Sequence, residues 1–322
     1  TMTFTGNQQL SSGANYFWLT YDIDSAATLG NYIDAQCVQA KFDSAGTTLT
    51  HSPVVGNPSG NRKISARMSG TYTIDPNGSG ASNFKSFAAA VQSLKNIGVG
   101  GPVTFNVKEG TYNEQIEIGD VPKISSSNQV LFQSSPSNNA KPVLQYSSSY
   151  YDSNYVVKFD GAEYVTLDGL HIEATSSQYC RTLEFRNVNN YVTVSNCDLI
   201  TIQANSTYSD KANIFFTDHS ASQSQYVTLE NNFIKFGSYG IFYSGANAES
   251  GNVVKGNTID SFYYYGIYAD LQNNFTCEDN VIRGMGAYST EYGIYLRYCN
   301  TNCEITKNNI ATYGTSTVYG IY

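Results

Sequence analysis

The sequence predicts an all-β protein: a parallel β-helix solenoid behind a short capping helix, with a small β-sandwich-like module ahead of both. Three observations carry this. The tetrapeptide YGIY stands at Tyr265–Tyr268, Tyr292–Tyr295 and Tyr319–Tyr322, with YGIF from Tyr239, so the same residues return every 26 or 27 positions. A second series is interleaved with the first: YVTLDGLHIEA from Tyr164, YVTVSNCDLIT from Tyr191, YVTLENNFIKF from Tyr226, then VVKGNTIDSF, TCEDNVIRGM and EITKNNIATY. Both series alternate apolar with polar residues, the period-two pattern of a strand buried on one face. Neither shows the i, i+3, i+4 spacing of a helical repeat. A unit of roughly 20–50 residues with two or three such strands buries its apolar face by stacking on its neighbours.

Residues 1–67 have a different texture. FTGNQQLSSGANYFWLTYDIDSAATLGNYIDAQCVQAKF reads as short strands with turns at Gly13, Gly30 and Gly46, and HSPVVGNPSGNRK reads as a loop or linker. ANYFWLTYDI followed by LGNYIDA resembles the N-terminal module of BNR-repeat, sialidase-like secreted bacterial surface proteins. The resemblance implies a neighbour of β-helices in proteins exported by type IX secretion. Two DSA triplets, at Asp24 and Asp43, look like a bacterial O-glycosylation acceptor. The sequons at Asn77, Asn205 and Asn274 bear on a eukaryotic secretory route alone.

The solenoid is expected over residues 68–322. SNFKSFAAAVQSLKNIG reads as an amphipathic helix at about 83–97, with Ser82 or Asn83 as N-cap, and GPVTFNVKEGTYNEQIEI as strand, turn, strand. Such a helix covers the strand edges that a first coil leaves unpaired. In the coils that follow, Val157, Leu183, Ile214, Ile241, Ile267 and Ile294 form one inward column. Ile172, Leu199, Ile234, Ile259, Ile282 and Ile310 form another. Three residues past the first column stand Asp160, Arg186, Thr217, Ser244, Asp270 and Arg297, and a further column reads Lys235, Asp260, Arg283, so opposite charges fall side by side. Asn232, Asn257, Asn280 and Asn308 share one bend, where stacked amides satisfy the turn backbone. The turns GNTI, DNVI and KNNI, with the helix and strands ahead of them, resemble the right-handed parallel β-helix of the pectate-lyase superfamily over about Gly70 to Tyr322. The last YGIY has neither a return segment nor a polar cap behind it, so the solenoid is expected to continue past this sequence.

Composition bounds the function. A formal charge of −8 and a pI near 4.9 exclude a nucleic-acid partner and disfavour anionic lipid. No apolar run reaches the ~20 residues that span a bilayer as a helix. Charged residues are only 14% while Tyr, Asn, Ser, Thr and Gly abound, which places the chain among secreted, extracellular β-proteins. Six cysteines permit disulfides in fifteen pairings, or stand as reduced structural thiols, and without a C-x-x-C no zinc site is expected.

Motifs of the enzymes that share this resemblance, such as QDTL and DFIFG or the paired NTD and DD, do not occur in the sequence, so no catalytic residue, metal or cofactor is carried over. His171 and Asp198 fall on adjacent coils, and Asp218–His219 sits at a turn. Each pair reads as a general base with its orienter or as solvated polar neighbours. Asp75-Pro-Asn77-Gly-Ser79-Gly80 has the oxygen spacing of a calcium-loop start without the closing Glu, and reads as a Gly-rich turn. What stands out is aromatic. Phe215, Phe242, Tyr268, Tyr295 and Tyr322 form one outward row, and Tyr239, Tyr265, Tyr292 and Tyr319 a parallel one. Such rows serve as a contact surface or stiffen the sheet. Tyr239, Phe242, Tyr265, Tyr268, Tyr292 and Tyr295 are the candidate contact residues, for a polysaccharide or another surface chain. The sequence thus reads as a cell-surface adhesin or polysaccharide-binding scaffold without catalysis in this segment. The alternatives are a polysaccharide lyase or glycosidase, and a structural rod in a surface filament.

Overall fold

Alternation in the two interleaved series builds the coils. The structure, a computed structural model, describes residues 9, 11–14, 16, 23–24, 26–44, 46–52, 60–216 and 224–322. It divides into two units, Thr1–Ala66 and Arg67–Tyr322. In the first, Tyr32–Ile33 pairs antiparallel with Arg62–Lys63, and Ala40–Ser44 forms a hairpin with Thr47–His51. Most of ANYFWLTYDI, the centre of HSPVVGNPSGNRK, and Asp218–His219 lie outside the described residues.

The second unit is a parallel β-helix of about 9 turns. Its first sheet runs from Met68–Ile74 to Glu304–Thr306, its second from Thr111–Asn113 to Asn309–Ala311, and its third from Ile116–Gly119 to Thr317–Ile321. The register is that of the repeats. Val157, Leu183, Ile214, Ile241, Ile267 and Ile294 stand directly opposite one another in the third sheet. Ile172, Leu199, Ile234, Ile259, Ile282 and Ile310 do so in the second. Inside the coil, Phe159, Phe185, Phe216 and Tyr243 stack face to face with centroids 4.8, 4.1 and 3.7 Å apart.

The glycines of YGIF and of the first two YGIY, Gly240, Gly266 and Gly293, have a packing reason. A Cβ on Gly266 would lie 2.5 Å from the carbonyl oxygen of Gly293, one coil on, and 2.5 Å from Ile282 of the second sheet. The corner therefore closes only around hydrogen. At another bend the four asparagines form a ladder, buried at Asn232, Asn257 and Asn280 and half-buried at Asn308. Asn257 donates from Nδ2 to Leu229 O (2.8 Å) and to Asn280 Oδ1 (3.1 Å), while its Oδ1 accepts from the backbone N–H of Asn232 (3.0 Å). Cys197 opens the column, its backbone N–H donating to Asn232 Oδ1. All six cysteines are free thiols, and Cys180, Cys197 and Cys277 are buried.

The capping helix α1 is Phe87–Ile97, shorter at its start than expected. Its N-cap is Ser86, whose Oγ accepts from Ala89 N at 3.1 Å, not Ser82 or Asn83. Asn83–Phe84 is instead a short strand beside Thr73–Ile74, and the Asn83 amide is spent on Asp75 O and Thr73 Oγ1. Glu114 takes over the next two helical donors, Phe87 N and Ala88 N. The charge columns align as expected, but alignment does not decide the pairs. Asp270 and Arg297 do pair. Arg186, however, bonds Glu184 on its own strand at 2.9 Å, and Asp160 is met by Lys158 at 3.5 Å. The Lys235 ammonium lies over the Phe236 ring, 4.8 Å from its centroid, in place of Asp260.

Candidate functional site: two aromatic fields

On the outer face of the third sheet, Phe215, Phe242, Tyr268 and Tyr295 stand in register. Their rings, with Tyr322, stack at 5.1, 5.1, 5.2 and 5.2 Å. Tyr239, Tyr265, Tyr292 and Tyr319 form the second row at 4.9, 4.7 and 4.8 Å. The rows meet edge to face, Tyr265 against Tyr268 at 5.5 Å, the arrangement that aromatic quadrupoles favour. Together with Ala212 and Tyr264 they make an apolar cluster outside the coil. Tyr239 and Tyr265 are 7% exposed, whereas Phe242, Tyr268, Tyr292 and Tyr295 are half-buried. Of the six candidate contact residues, then, four face outward and two support them from beneath. Burial raises the phenol pKa of Tyr239, Tyr265 and Tyr268, so these hydroxyls stay protonated donors at neutral pH.

Ring stacking along the rod has a consequence for ligands. Each face is covered by the next ring, so the field offers edges and hydroxyls. Its upper border is charged: Glu117, Lys158 and Glu184 continue the Phe215 column upward. Arg181 lies 3.5 Å over the Phe215 ring while bonding Glu184 at 2.9 Å, a cation on a π face. The carboxylates bordering the field, Glu184 and Asp270, are both held by arginine.

His171 and Asp198 are brought together as expected, with Nδ1 and Oδ2 3.6 Å apart. Two further groups change their meaning. Glu173 lies 3.6 Å from Nε2, and Lys141 bonds Asp198 at 2.6 Å. Bonding to Asp198 raises the imidazole pKa. Carboxylates at both nitrogens favour the ring as an ion-pair partner over the role of general base. At Asp75 the loop forms an Asx turn to Asn77 N (2.8 Å), and the Lys85 ammonium donates to the carbonyls of Pro76 and Gly78. A side-chain cation occupies the carbonyls that a calcium loop would turn on its ion.

A second field lies on the first sheet. Tyr164, Tyr191 and Tyr226 stack at 4.7 and 4.8 Å with interplanar angles of 6° and 4°. Beside them Thr166, Thr193 and Thr228 stand in register, and a cleft of about 590 Å³ runs between them. In the sequence these tyrosines stand as the opening residues of the repeat segments, without a role of their own. The signal was the triplet YVT, three times repeated.

The family model described as right handed beta helix region matches residues 168–321. No curated protein matches the sequence. Among solved structures the chain is similar to a GH136 lacto-N-biosidase from Eubacterium ramulus, with a TM-score of 0.54 and 12% identity over 78% of this chain and 55% of that one. It is similar also to the Dettilon tailspike protein, with a TM-score of 0.52 and 12% identity over 78% of this chain and 45% of that one. The chain thus spans about half the length of each. At such identity the likeness is one of fold: the second unit is a right-handed parallel β-helix.

Proposed function

We propose that this chain is a secreted, cell-surface β-helix that acts as an adhesin or polysaccharide-binding scaffold, with contact across the third-sheet aromatic field and no catalysis within this segment. The observation that carries this reading is the apolar cluster outside the coil, built from two stacked rows and open along one face. A contiguous aromatic surface of this kind is the mark of an interaction site. Because it offers edges and hydroxyls, it suits a long partner laid across the rows, such as a polysaccharide or another surface chain. The low charge and the abundance of Tyr, Asn and Ser support an extracellular setting.

The test is a panel of neutral and uronate polysaccharides incubated with the full chain and calcium. The expected result is co-sedimentation with at least one polymer, at unchanged chain length. Replacing Tyr268 and Tyr295 together by Ala should weaken binding tenfold or more, about 1.4 kcal/mol. Shortened chains would replace the scaffold with an enzyme, and undiminished binding by the double variant would move the contact off this face.

A further inference from the structure

We propose that the first-sheet cleft is a separate binding site for a neutral oligosaccharide, lying along the rod over three successive coils. This goes beyond the third-sheet reading and stands without it. The argument begins with backbone. Tyr164, Tyr191 and Tyr226 have φ of 49°, 54° and 54°, the left-handed region that side chains other than Gly and Asn avoid. The column they occupy continues as Gly251, Asn274 and Asn302, the residues this turn prefers, with φ of 72°, 48° and 46°. Three coils thus carry tyrosine against local preference. Stacking offsets part of that cost and covers the ring faces but leaves edges and hydroxyls open: Tyr191 and Tyr226 are 44% and 45% exposed, against 7% for Tyr239 and Tyr265 in the supporting row. Gly251 bounds the stack, since a Cβ there would lie 2.5 Å from the Tyr226 ring.

The lining states the ligand chemistry. Besides the tyrosines and Gly251 it consists of Thr166, Thr193, Thr228, Ser126 and Gln129, all uncharged and all but glycine bearing hydroxyl or amide groups. These both donate and accept, as a sugar's hydroxyls do. The rings stand 4.7 and 4.8 Å apart, a spacing comparable to the length of one hexose, so each coil can meet one sugar residue. Charge selects against acidic glycans. Glu163 precedes the first tyrosine, and Asp168 and Glu230 lie two residues beyond Thr166 and Thr228 on the same strands. A uronate or sialylated chain would lie beside these carboxylates with no lining cation to receive it.

Calorimetric titration of the full chain with cellohexaose, mannohexaose and laminarihexaose, with hexagalacturonate as the anionic counterpart, tests this. At least one neutral hexasaccharide should bind, at least tenfold more tightly than hexagalacturonate. Tyr191→Asn, which installs the column's own alternative residue, should weaken that binding tenfold or more with an unchanged unfolding midpoint. Thr193→Val should weaken it several-fold, and Tyr150→Ala, at an exposed ring outside both aromatic fields, should leave it as it was. No binding of any neutral hexasaccharide, equal binding of hexagalacturonate, or undiminished binding by Tyr191→Asn would overturn the proposal. Should Tyr191→Asn unfold, Thr193→Val alone decides, because the threonine faces outward from a regular strand.

Discussion

At the scale of single residues, Glu249 is the group whose chemistry departs furthest from its place in the sequence. It is buried, accepting from Ser224 N (2.9 Å), Asn252 Nδ2 (3.2 Å) and Gln272 Nε2 (3.0 Å). Burial pushes its carboxyl up to about 7, against three donors that favour the charged form. The folded state therefore holds this proton more tightly than the unfolded chain does. Its stabilising contribution is full below the ordinary glutamate value of about 4.5, and is lost as pH rises through 7. The span corresponds to roughly 3 kcal/mol. His171 adds a loss of the same sign, its contribution being full below the ordinary histidine value of about 6.5 and lost as its own raised pKa is passed. Comparing urea unfolding of the wild type and Glu249→Gln from pH 4.5 to 8 isolates the glutamate: the wild type should lose stability more steeply, and parallel profiles would sink the assignment. Nothing in SGANAES announces this residue, because a Glu after small polar residues reads as solvated. Only the bulge between Ser244 and Glu249 turns it inward opposite Gln272.

Elements were legible to the degree that their residues repeat. Each inward column predicted from the two series is a column of the structure, because a one-residue slip would turn every apolar side chain to solvent. The asparagine ladder was legible for the same reason. The start of α1 was not: Ser82 and Asn83 read as its caps, but Thr73 and Asp75 claim Asn83 from the preceding strand and turn, and the cap is Ser86. The cleft was missed because its tyrosines open segments that periodicity treats as register marks, and a left-handed turn leaves no alternation to read. The glycine column lends itself to a direct test. In Gly266→Ala the new methyl meets backbone, the Gly293 carbonyl oxygen, and the Ile282 side chain, each at 2.5 Å. Carbonyls on adjacent coils cannot withdraw without parting the ladder between Tyr265–Asn273 and Thr290–Arg297. Overpacking of this kind costs about 1–3 kcal/mol, read as a lower denaturation midpoint with the slope unchanged. An unaltered midpoint would show that the corner is looser than the coil spacing implies.

For the whole molecule, the question is where the stability of the rod resides. In a solenoid each coil contacts its neighbours alone, so the ends matter out of proportion to their length. Among the described residues, every buried apolar side chain falls between Met68 and Ile294, inside the second unit. The cap belongs to that unit too: Phe87, Ala90 and Leu94 of α1 are fully buried in the same core, and Phe87 packs edge-on against Tyr112 at 5.1 Å. In the first unit Tyr32 and Leu49 are exposed within their own short strands, and Val38 is exposed between strands. Residues 67–322 are therefore expected to fold alone, with a thermal midpoint within about 3 °C of the full chain, about what a 1 kcal/mol change produces in a domain of this size. Cutting further, to begin at Gly98, removes α1 together with the strands Met68–Ile74 and Asn83–Phe84 and uncovers Val103 and Phe105. That protein should aggregate, or unfold about 10 °C lower or more. If residues 67–322 unfolded that far below the full chain, the first unit would be part of the cap and the rod would begin before Arg67.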